Sequence, residues 1–448
     1  MGYSSKTGRR PFEAASKAAH QFIINDAEVQ NLINKLFVTP RATASTLTGL
    51  VEDFASPPKN TVEHIIAVDG GYAEAVIEKE CPSRLLHFLQ FGALWFRQED
   101  LLELEKTRFI APEDMARLRN IERLKLAIPT RNVRLKDAAT VKESILRIIA
   151  EFFCRSTLGE SFSLTDTLAW FVFRQYKGVA RTQDDLVWNL ATNPHVDGGL
   201  ALQESAMKPD YTFDCPVTGK PIRLTDIFRL HEIIDEETGA TGILGYLVNV
   251  VEQCVIVHLI RSLLRIQPSL LSRVLFIKDG PCGFFGQTAN LHKPMRDLVG
   301  WLQQKHNLLL VGLEKSGAFV EHAQEIQGAM KPGQVFILPN DYIYRYIIPG
   351  DADPNRPYGS TTNYGHKVIF KTARGQMHVV SVPVAQLRAS PSAGDLPNLN
   401  LLLANVESLR CDMYDSALFP VALVNKLVSL SSHPSQVILQ KFAKAGIA

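Results

Sequence analysis

The stretch "IIAVDGGYAEA", Ile65 to Ala75, carries an apolar run into Asp69 and two glycines. A second stretch, "RVLFIKDGPCG", repeats the pattern and places Asp279 directly after segment 273–278. Asp-Gly is a common turn dipeptide, so each stretch is compatible with an ordinary turn at the end of a strand. In neighbouring parallel strands, however, both carboxylates would emerge at the same end of one sheet, where they could bind one metal ion.

The composition is that of a soluble globular protein with a sizeable core. The chain has 448 residues, 46% hydrophobic and 21% charged, which allows two or three domains or one domain with large insertions. Its 48 basic and 46 acidic residues nearly balance, which argues against a polyanion-binding tail but not against a local basic groove. Six scattered cysteines without a CxxC pair predict a reduced, cytoplasmic protein without a thiolate zinc site. No membrane segment is predicted, because no apolar run reaches spanning length.

Alternating strand and helix patterns predict an α/β fold. The patterns indicate helix 243–266, strand 273–278, helix 292–304, strand 308–313, helix 318–326 and a β-hairpin within 367–384. The predicted divisions are an N-terminal helical segment at 1–60, a first core part at 61–97, an insertion at 98–242 and the remaining core at 243–448, with a last helix near 421–430. The charged segments "EDMARLRNIERLKLA" and "TVKESILRIIAEFF" suggest that the insertion is mostly helical.

A third acid, Glu252, lies inside the strongly apolar helix predicted at 243–266. At about 100° per residue, its side chain points with the apolar face of the helix. A different sector, predicted as the solvent stripe, holds His258, Arg261, Ser262 and Arg265. Burying a carboxylate without a partner is costly, so Glu252 is expected either in an ion pair with Arg273 or Lys278, or at a metal ion.

Three acids thus occur in the order strand end, helix interior, strand end: Asp69, Glu252 and Asp279. Hard divalent cations bind carboxylate oxygens, and phosphodiester hydrolysis needs a metal-activated water and a stabilised leaving oxygen. One site made of the three acids would meet both needs. Lys315, in "LEKSG", is either a point-charge contact for the scissile phosphate or a solvated lysine in a turn.

At these motifs the sequence resembles the NurA-type nuclease family, which has a ribonuclease H-like core. "AVDGG" resembles its first Asp-Gly motif, the helix with Glu252 its middle acid, and "FIKDGPCG" its second Asp-Gly motif. "LLLVGLEKSG" and "YDSALFPVALVNKL" resemble its later strand and its terminal helix. The resemblance covers about a quarter of the chain and leaves Gln98–Gly242 outside.

The resemblance implies a ribonuclease H-like mixed sheet flanked by helices, with a large, mostly helical insertion. It further implies a DNA nuclease dependent on Mn²⁺ or Mg²⁺, with Asp69, Glu252 and Asp279 as metal ligands. The expected assembly is a homodimer that works with a hexameric HerA-type ATPase translocase, in DNA repair or antiviral defence. DNA is the expected substrate, and no membrane is involved.

The sequence also departs from the family pattern. Gly71 stands where the family tends to have serine. The family uses a tyrosine and a late histidine near the site, and here Tyr364 and Tyr344 are both candidates for the tyrosine. The positions where the histidine is expected hold Asn425 and Lys426, so His366 is the candidate substitute.

Two other functions remain open, a non-catalytic DNA-processing assembly subunit with the same fold and a metal-dependent ribonuclease. "DGPCGFFGQ" is rich in glycine but lacks the GK[ST] ending of a P-loop, so ATP hydrolysis by this chain is not expected. In "NDYIYRYIIPG", the tyrosines Tyr342, Tyr344 and Tyr346 are predicted on one strand face. That face is either an ordinary strand surface or a platform that stacks bases.

Overall fold

The computed structural model describes residues 19–105, 123–411, 417–430 and 434–447. The chain divides into two compact units, Met1–Arg41 and Ala42–Ala448. Within the first unit lie helices α1 (Ala19–Ile24) and α2 (Ala27–Asn34). Asp26 begins α2 by accepting hydrogen bonds from the backbone N–H groups of Glu28 and Val29. Helix α2 buries none of its residues.

Nine strands of the described residues form one mixed sheet in the second unit, in the order β1-β11-β12-β13-β10-β9-β2-β3-β4. Their bounds are β1 Val51–Asp53, β2 His64–Glu78, β3 Arg84–Arg97, β4 Arg123–Arg131, β9 Val274–Asp279, β10 Leu309–Glu314, β11 Gln334–Ile337, β12 Gly365–Lys371 and β13 Met377–Pro383. Two small ladders pair β5 (Val187–Leu190) with β6 (Leu200–Gln203) and β7 (Thr212–Asp214) with β8 (Pro221–Arg223). The predicted mixed α/β sheet and its β12–β13 hairpin are confirmed.

Helices cover both faces of this sheet. Their bounds are α3 Ala44–Leu47, α4 Gln98–Glu105, α5 Val141–Arg155, α6 Leu164–Val172, α7 Leu244–Ile266, α8 His292–His306, α9 Ala318–Glu325, α10 Asn340–Tyr342, α11 Leu399–Ser408, α12 Phe419–Val428 and α13 Ser435–Ile447. On one face, α7 packs in a core with Ile66, Val68 and Phe276. On the other face, α11 and α12 pack in a core with Ile65 and Leu275. Alternate residues of β2 and β9 therefore face opposite layers.

Strand β9 lies between β2 and β10 and runs parallel to both. The last registered pair of β2 with β9 is Val68 with Lys278, and that of β10 with β9 is Leu313 with Asp279. Because the carboxyl ends of parallel strands meet at one edge, this register places Asp69 beside Asp279. The predicted juxtaposition of the two Asp-Gly motifs is therefore present.

Asp69 does not end its strand, as the sequence pattern predicted. Strand β2 continues through Gly70 and Gly71 to Glu78, because β3 pairs with it along this whole length, including Asp69 with Gly92. Only the parallel pairing with β9 ends at this point. Asp69 therefore lies where a strand loses one of its two neighbours.

Segment 98–242 contributes more than helices. Its strand β4 pairs with β3 and forms an edge of the main sheet. The predicted helix in "TVKESILRIIAEFF" is confirmed as α5. Of the segment "EDMARLRNIERLKLA", residues 113–122 lie outside the described residues, and residues 123–127 belong to β4 rather than to a helix.

Two further predictions are wrong. The tyrosines Tyr342, Tyr344 and Tyr346 lie in α10 and the π-helical turn after it, Ile343–Ile347, so they do not share a strand face. The predicted solvent stripe of α7 is also largely covered, because α6 packs against it: His258 is buried and bonds Thr167 of α6. Segment Thr241–Ile266 is long and apolar enough to cross a membrane, but 72% of its most apolar window is buried inside the protein.

Candidate active site

Asp69 and Glu252 meet at a single backbone amide. The N–H of Gly70 lies 2.8 Å from Oδ1 of Asp69 and 2.9 Å from Oε1 of Glu252. Both carboxylates are buried, and Glu252 lies on the buried side of α7, as its helical position predicted. Glycine is required at position 70 for this approach, because a Cβ atom there would lie 2.7 Å from the Phe91 ring and 3.1 Å from Val248 of α7.

Asp279 approaches from the neighbouring strand. Its charge raises the pKa of both Asp69 and Glu252, which places all three carboxylates within electrostatic reach of one another. Lys315, the residue after β10, donates from Nζ to Oδ2 of Asp279 at 2.6 Å. This lysine is therefore not merely solvated, because it forms an ion pair at the carboxylate cluster.

Lys278, the residue before Asp279 on β9, also contacts the cluster. Its Nζ lies 3.4 Å from Oε2 of Glu252 and donates to the backbone oxygen of Asp279 at 2.6 Å. The buried ion pair that was one of two readings for Glu252 is thus present. It does not exclude the other reading, since Glu252 also shares the Gly70 amide with Asp69.

Asn425 occupies the place on α12 where the sequence comparison looked for a histidine. Its Nδ2 donates to Oδ2 of Asp69 at 2.9 Å. An amide fixes the carboxylate by a hydrogen bond, but it is not a titratable acid or base. Sequence analysis noticed Asn425 only as a departure, because nothing local connects it to a residue 356 positions away.

Two of the carboxylates are held in a state that disfavours negative charge. Burial, followed by the charge of Asp279, raises the pKa of Asp69 to about 6, although the bond from Asn425 acts in the opposite direction. Burial raises the pKa of Glu252 to about 8, with Asp69 and Asp279 adding to the effect and Lys278 opposing it. The lysines act in the opposite direction, but burial and the neighbouring acids outweigh them.

The donor set fits a hard divalent cation, because it consists of carboxylate oxygens whose mutual repulsion a cation would relieve. Among the described residues, no group of three or more His, Cys, Asp or Glu side chains is arranged to hold a metal ion as it stands. In this arrangement ammonium groups face two of the carboxylates, Lys315 at Asp279 and Lys278 at Glu252.

The remaining candidates are placed differently. His366 is buried on β12, where it accepts a hydrogen bond from the backbone N–H of Arg388 at 3.1 Å. Its charged neighbours are Asp395, Arg296 and Arg388 rather than the three carboxylates, because β13 and β10 separate β12 from β9. The structure therefore does not bring His366 into the cluster.

Of the two candidate tyrosines, Tyr364 is the one near the cluster. It is fully buried, and burial, the adjacent Cys282 and the charge of Glu252 raise its pKa well above the usual range. Tyr344 instead packs edge-on against Tyr358. Gly71, where the family tends to have serine, faces α12 so closely that a Cβ atom would lie 3.0 Å from the backbone oxygen of Val428. That contact accounts for the departure.

No protein-family model matches the chain, and no match was found among curated proteins. The chain is similar to the solved structure of the NurA nuclease from Sulfolobus solfataricus, at 9% identity and a TM-score of 0.33, over 97% of each chain. It is also similar to a structure of NurA with manganese, at 12% identity and a TM-score of 0.31, over 96% of this chain and 98% of that one. Both carry the name of the family that the motifs resemble.

Proposed function

We propose that this protein is a metal-dependent nuclease that hydrolyses phosphodiester bonds. The observation that carries the proposal is the gathering of three carboxylates where the parallel pairing of β2 with β9 ends: Asp69 and Glu252 share the Gly70 amide, and Asp279 lies on the neighbouring strand with Lys315 bonded to it. Carboxylates crowded together oppose folding through mutual repulsion, and here the pKa values of Asp69 and Glu252 stay raised although two lysines lie beside the cluster. This clustering supports a catalytic role over a purely structural one.

Each residue of the site has a role that follows from its contacts. When bound at these carboxylates, Mn²⁺ or Mg²⁺ would supply the chemistry of an activated water and of leaving-oxygen stabilisation. Asp69 and Asp279 would hold the ion, and Asn425 orients Asp69 through its hydrogen bond. The half-buried ammonium of Lys315 is close enough to the solvent to transfer from Asp279 to a substrate phosphate, where it acts as a point charge.

The substrate and assembly are proposed from the motif resemblance. We propose DNA as the substrate and a homodimer as the cytoplasmic form, acting with a hexameric HerA-type ATPase in DNA repair or antiviral defence. The near balance of charge supports the need for a partner, because a chain with net charge +2 has little general attraction for long DNA. The lack of a P-loop in the sequence means that movement along DNA needs a separate ATP-driven motor.

Cleavage assays with the purified chain test the nuclease activity. Labelled single-stranded DNA, duplex DNA and single-stranded RNA are incubated with Mn²⁺, with Mg²⁺ or with EDTA. We expect metal-dependent cleavage of DNA that EDTA abolishes and that an identically purified Asp279→Asn variant lacks. Cleavage of RNA alone would reassign the substrate, and equal, equally metal-dependent activity in the variant would show that the chemistry is misassigned to these carboxylates.

A separate experiment tests the motor. The chain is co-purified with a hexameric HerA-type ATPase from the same genome, and duplex cleavage is measured with ATP and with a non-hydrolysable analogue. We expect co-elution and faster cleavage with ATP only. If the two proteins do not co-elute and the chain alone is fully active, the partner is removed from the proposal while the nuclease remains.

A further inference from the structure

The buried ammonium group of Lys278 lies at the carboxylate cluster of the candidate active site. We propose, on the basis of the proposed nuclease function, that the ammonium of Lys278 is a built-in cation that takes the place of a second metal ion, so that the site binds a single divalent cation. From the sequence, Lys278 is expected only as a possible ion-pair partner for Glu252. The proposal gives it a positioning role within the reaction.

The side chain of Lys278 is held in a fixed position. It is 2% exposed, and its Nζ is fixed by Oε2 of Glu252 at 3.4 Å and by the backbone oxygen of Asp279 at 2.6 Å. The neighbouring Lys315 is 28% exposed and has one carboxylate partner in the cluster. A substrate phosphate can therefore draw Lys315 away from Asp279, whereas Lys278 remains in place.

The count of fixed charges gives the number of ions. Asp69, Glu252 and Asp279 carry three negative charges when ionised, and Lys278 permanently offsets one of them. Lys315 is partly exposed and can leave Asp279 when an ion binds there, and the two negative charges that then remain match one divalent cation. A second divalent ion next to Glu252 would be brought against a buried ammonium that cannot leave, and that repulsion excludes it.

Glu252 consequently has a different role from the two aspartates. One of its oxygens faces Lys278, and the other accepts the Gly70 amide that Asp69 also accepts. We assign Asp69 and Asp279 as the residues that face the single ion. Glu252 holds Lys278 and the Gly70 amide in position behind them.

Direct measurement of metal binding tests this inference without reference to activity. Mn²⁺ is titrated into the metal-free full-length protein and followed by calorimetry and by the loss of the free-ion electron paramagnetic resonance signal. One ion per chain is expected. Two ions per chain in the unmodified protein would overturn the inference and leave the nuclease proposal standing, whereas no binding at all would overturn both.

A substitution of Lys278 provides the second arm. In Lys278→Met, the built-in charge is removed at nearly constant volume, and we expect the stoichiometry to rise from one Mn²⁺ to two. A merely structural lysine would not produce that gain. The matched control is Lys367→Met, since Lys367 is also buried and paired with a buried acid, Glu314, outside the cluster. It should still bind one ion, and one ion in Lys278→Met as well would overturn the inference.

Should Lys278→Met fail to fold, the stoichiometry of the unmodified protein decides the question by itself. Lys278→Gln then serves as the second variant, because its amide can still donate a hydrogen bond to the backbone oxygen of Asp279 while carrying no charge. We expect two ions per chain for this variant too. One ion in Lys278→Gln would contradict the role assigned to the ammonium.

Discussion

Two buried aspartates of this protein have nearly the same exposure and opposite electrostatics. Asp69 is 3% exposed and Asp185 is 5% exposed. Burial raises the pKa of Asp69 to about 6, reinforced by Asp279. At Asp185, burial acts in the same direction, but the Thr182 N–H and the ammonium of Lys177 outweigh it and leave the pKa lowered.

The difference lies in what surrounds each carboxylate. Asp185 has Lys177 at 3.0 Å and Arg174 at 3.3 Å, with no acid among the causes of its pKa shift. Asp69 has an amide on each oxygen and another carboxylate as its main charged neighbour. Burial alone therefore does not identify a functional carboxylate. A buried acid that faces other acids is the stronger candidate, because its charged neighbours oppose its ionised form.

The largest expected effect is on the rate of DNA cleavage, in which the two aspartates should differ. Asp69→Asn and Asp279→Asn should each lower the rate of DNA cleavage at least about a hundredfold, because each removes a charged oxygen ligand while keeping the side-chain volume. Rates are measured under single-turnover conditions at saturating Mn²⁺. Asp185→Asn is the matched control, and a comparable loss of cleavage in that variant would place the active centre elsewhere.

Added Mn²⁺ should stabilise the protein through the carboxylate cluster and not through the surroundings of Asp185. An ion that binds only the folded protein raises its free energy of unfolding by about 2.7 kcal/mol at a concentration one hundred times its dissociation constant. We expect Mn²⁺ to raise the thermal midpoint of the unmodified protein and of Asp185→Asn. No such rise is expected in Asp279→Asn, and an equal rise there would mean that the ion binds outside the cluster.

In metal-free protein, Asp69→Asn and Asp185→Asn should change the free energy of unfolding in opposite directions. Asp185→Asn should destabilise the fold by about 2 kcal/mol, because it leaves two partly buried cations without their partner. Asp69→Asn should stabilise it by about 1 kcal/mol, because it relieves repulsion within the cluster. Urea denaturation in EDTA measures both values, and destabilisation by Asp69→Asn would show that its hydrogen bonds outweigh the repulsion.

The contribution of Asp185 should also depend on pH. Its pKa is lower in the folded protein, so the unfolded chain binds the proton more tightly and acid favours unfolding. The stability difference between the unmodified protein and Asp185→Asn should be complete above about pH 4 and should decrease below it. Urea midpoints at neutral pH and at about pH 3 test this, and a constant difference would contradict it.

The smallest expected effect concerns the close contact between β2 and α12. Gly71→Ser should destabilise the protein by about 1 kcal/mol, because the added Cβ presses on the backbone of Val428. Gly245→Ser is the control, since a Cβ there meets no atom within 4 Å. Urea denaturation of both variants provides the measurement, and equal stability would show that α12 shifts without cost.

The sequence predicted the parts of the site that depend on local patterns. The apolar runs before Asp69 and Asp279, and the helical position of Glu252, place these acids without any knowledge of tertiary contacts. The continuation of β2 past Gly70 was not predicted, because two glycines normally interrupt a strand and only the pairing with β3 overrides that preference.

Contacts between distant segments were also beyond the sequence. The bond from Asn425 to Asp69 joins residues far apart in the chain, and the contact of Lys315 with Asp279 depends on the register of β10. The tyrosines at 342–346 were misassigned because their alternation matches a strand period, whereas the chain forms a helical turn there. His366 was chosen for its residue type, and the strand order places it elsewhere.

The unbroken course of β2 gives the two aspartates different mechanical surroundings. Asp69 lies on a backbone that continues as a strand in both directions, so its position should change little over the timescales of amide hydrogen exchange. Asp279 is the last residue of β9, and Gly280 follows it with a φ of 89°. The backbone thus holds the two aspartates differently: Asp69 lies within a strand that β3 pairs on both sides of it, whereas Asp279 lies at a strand end that the bond from the Gly280 N–H to the Leu313 oxygen and the two lysines hold in place.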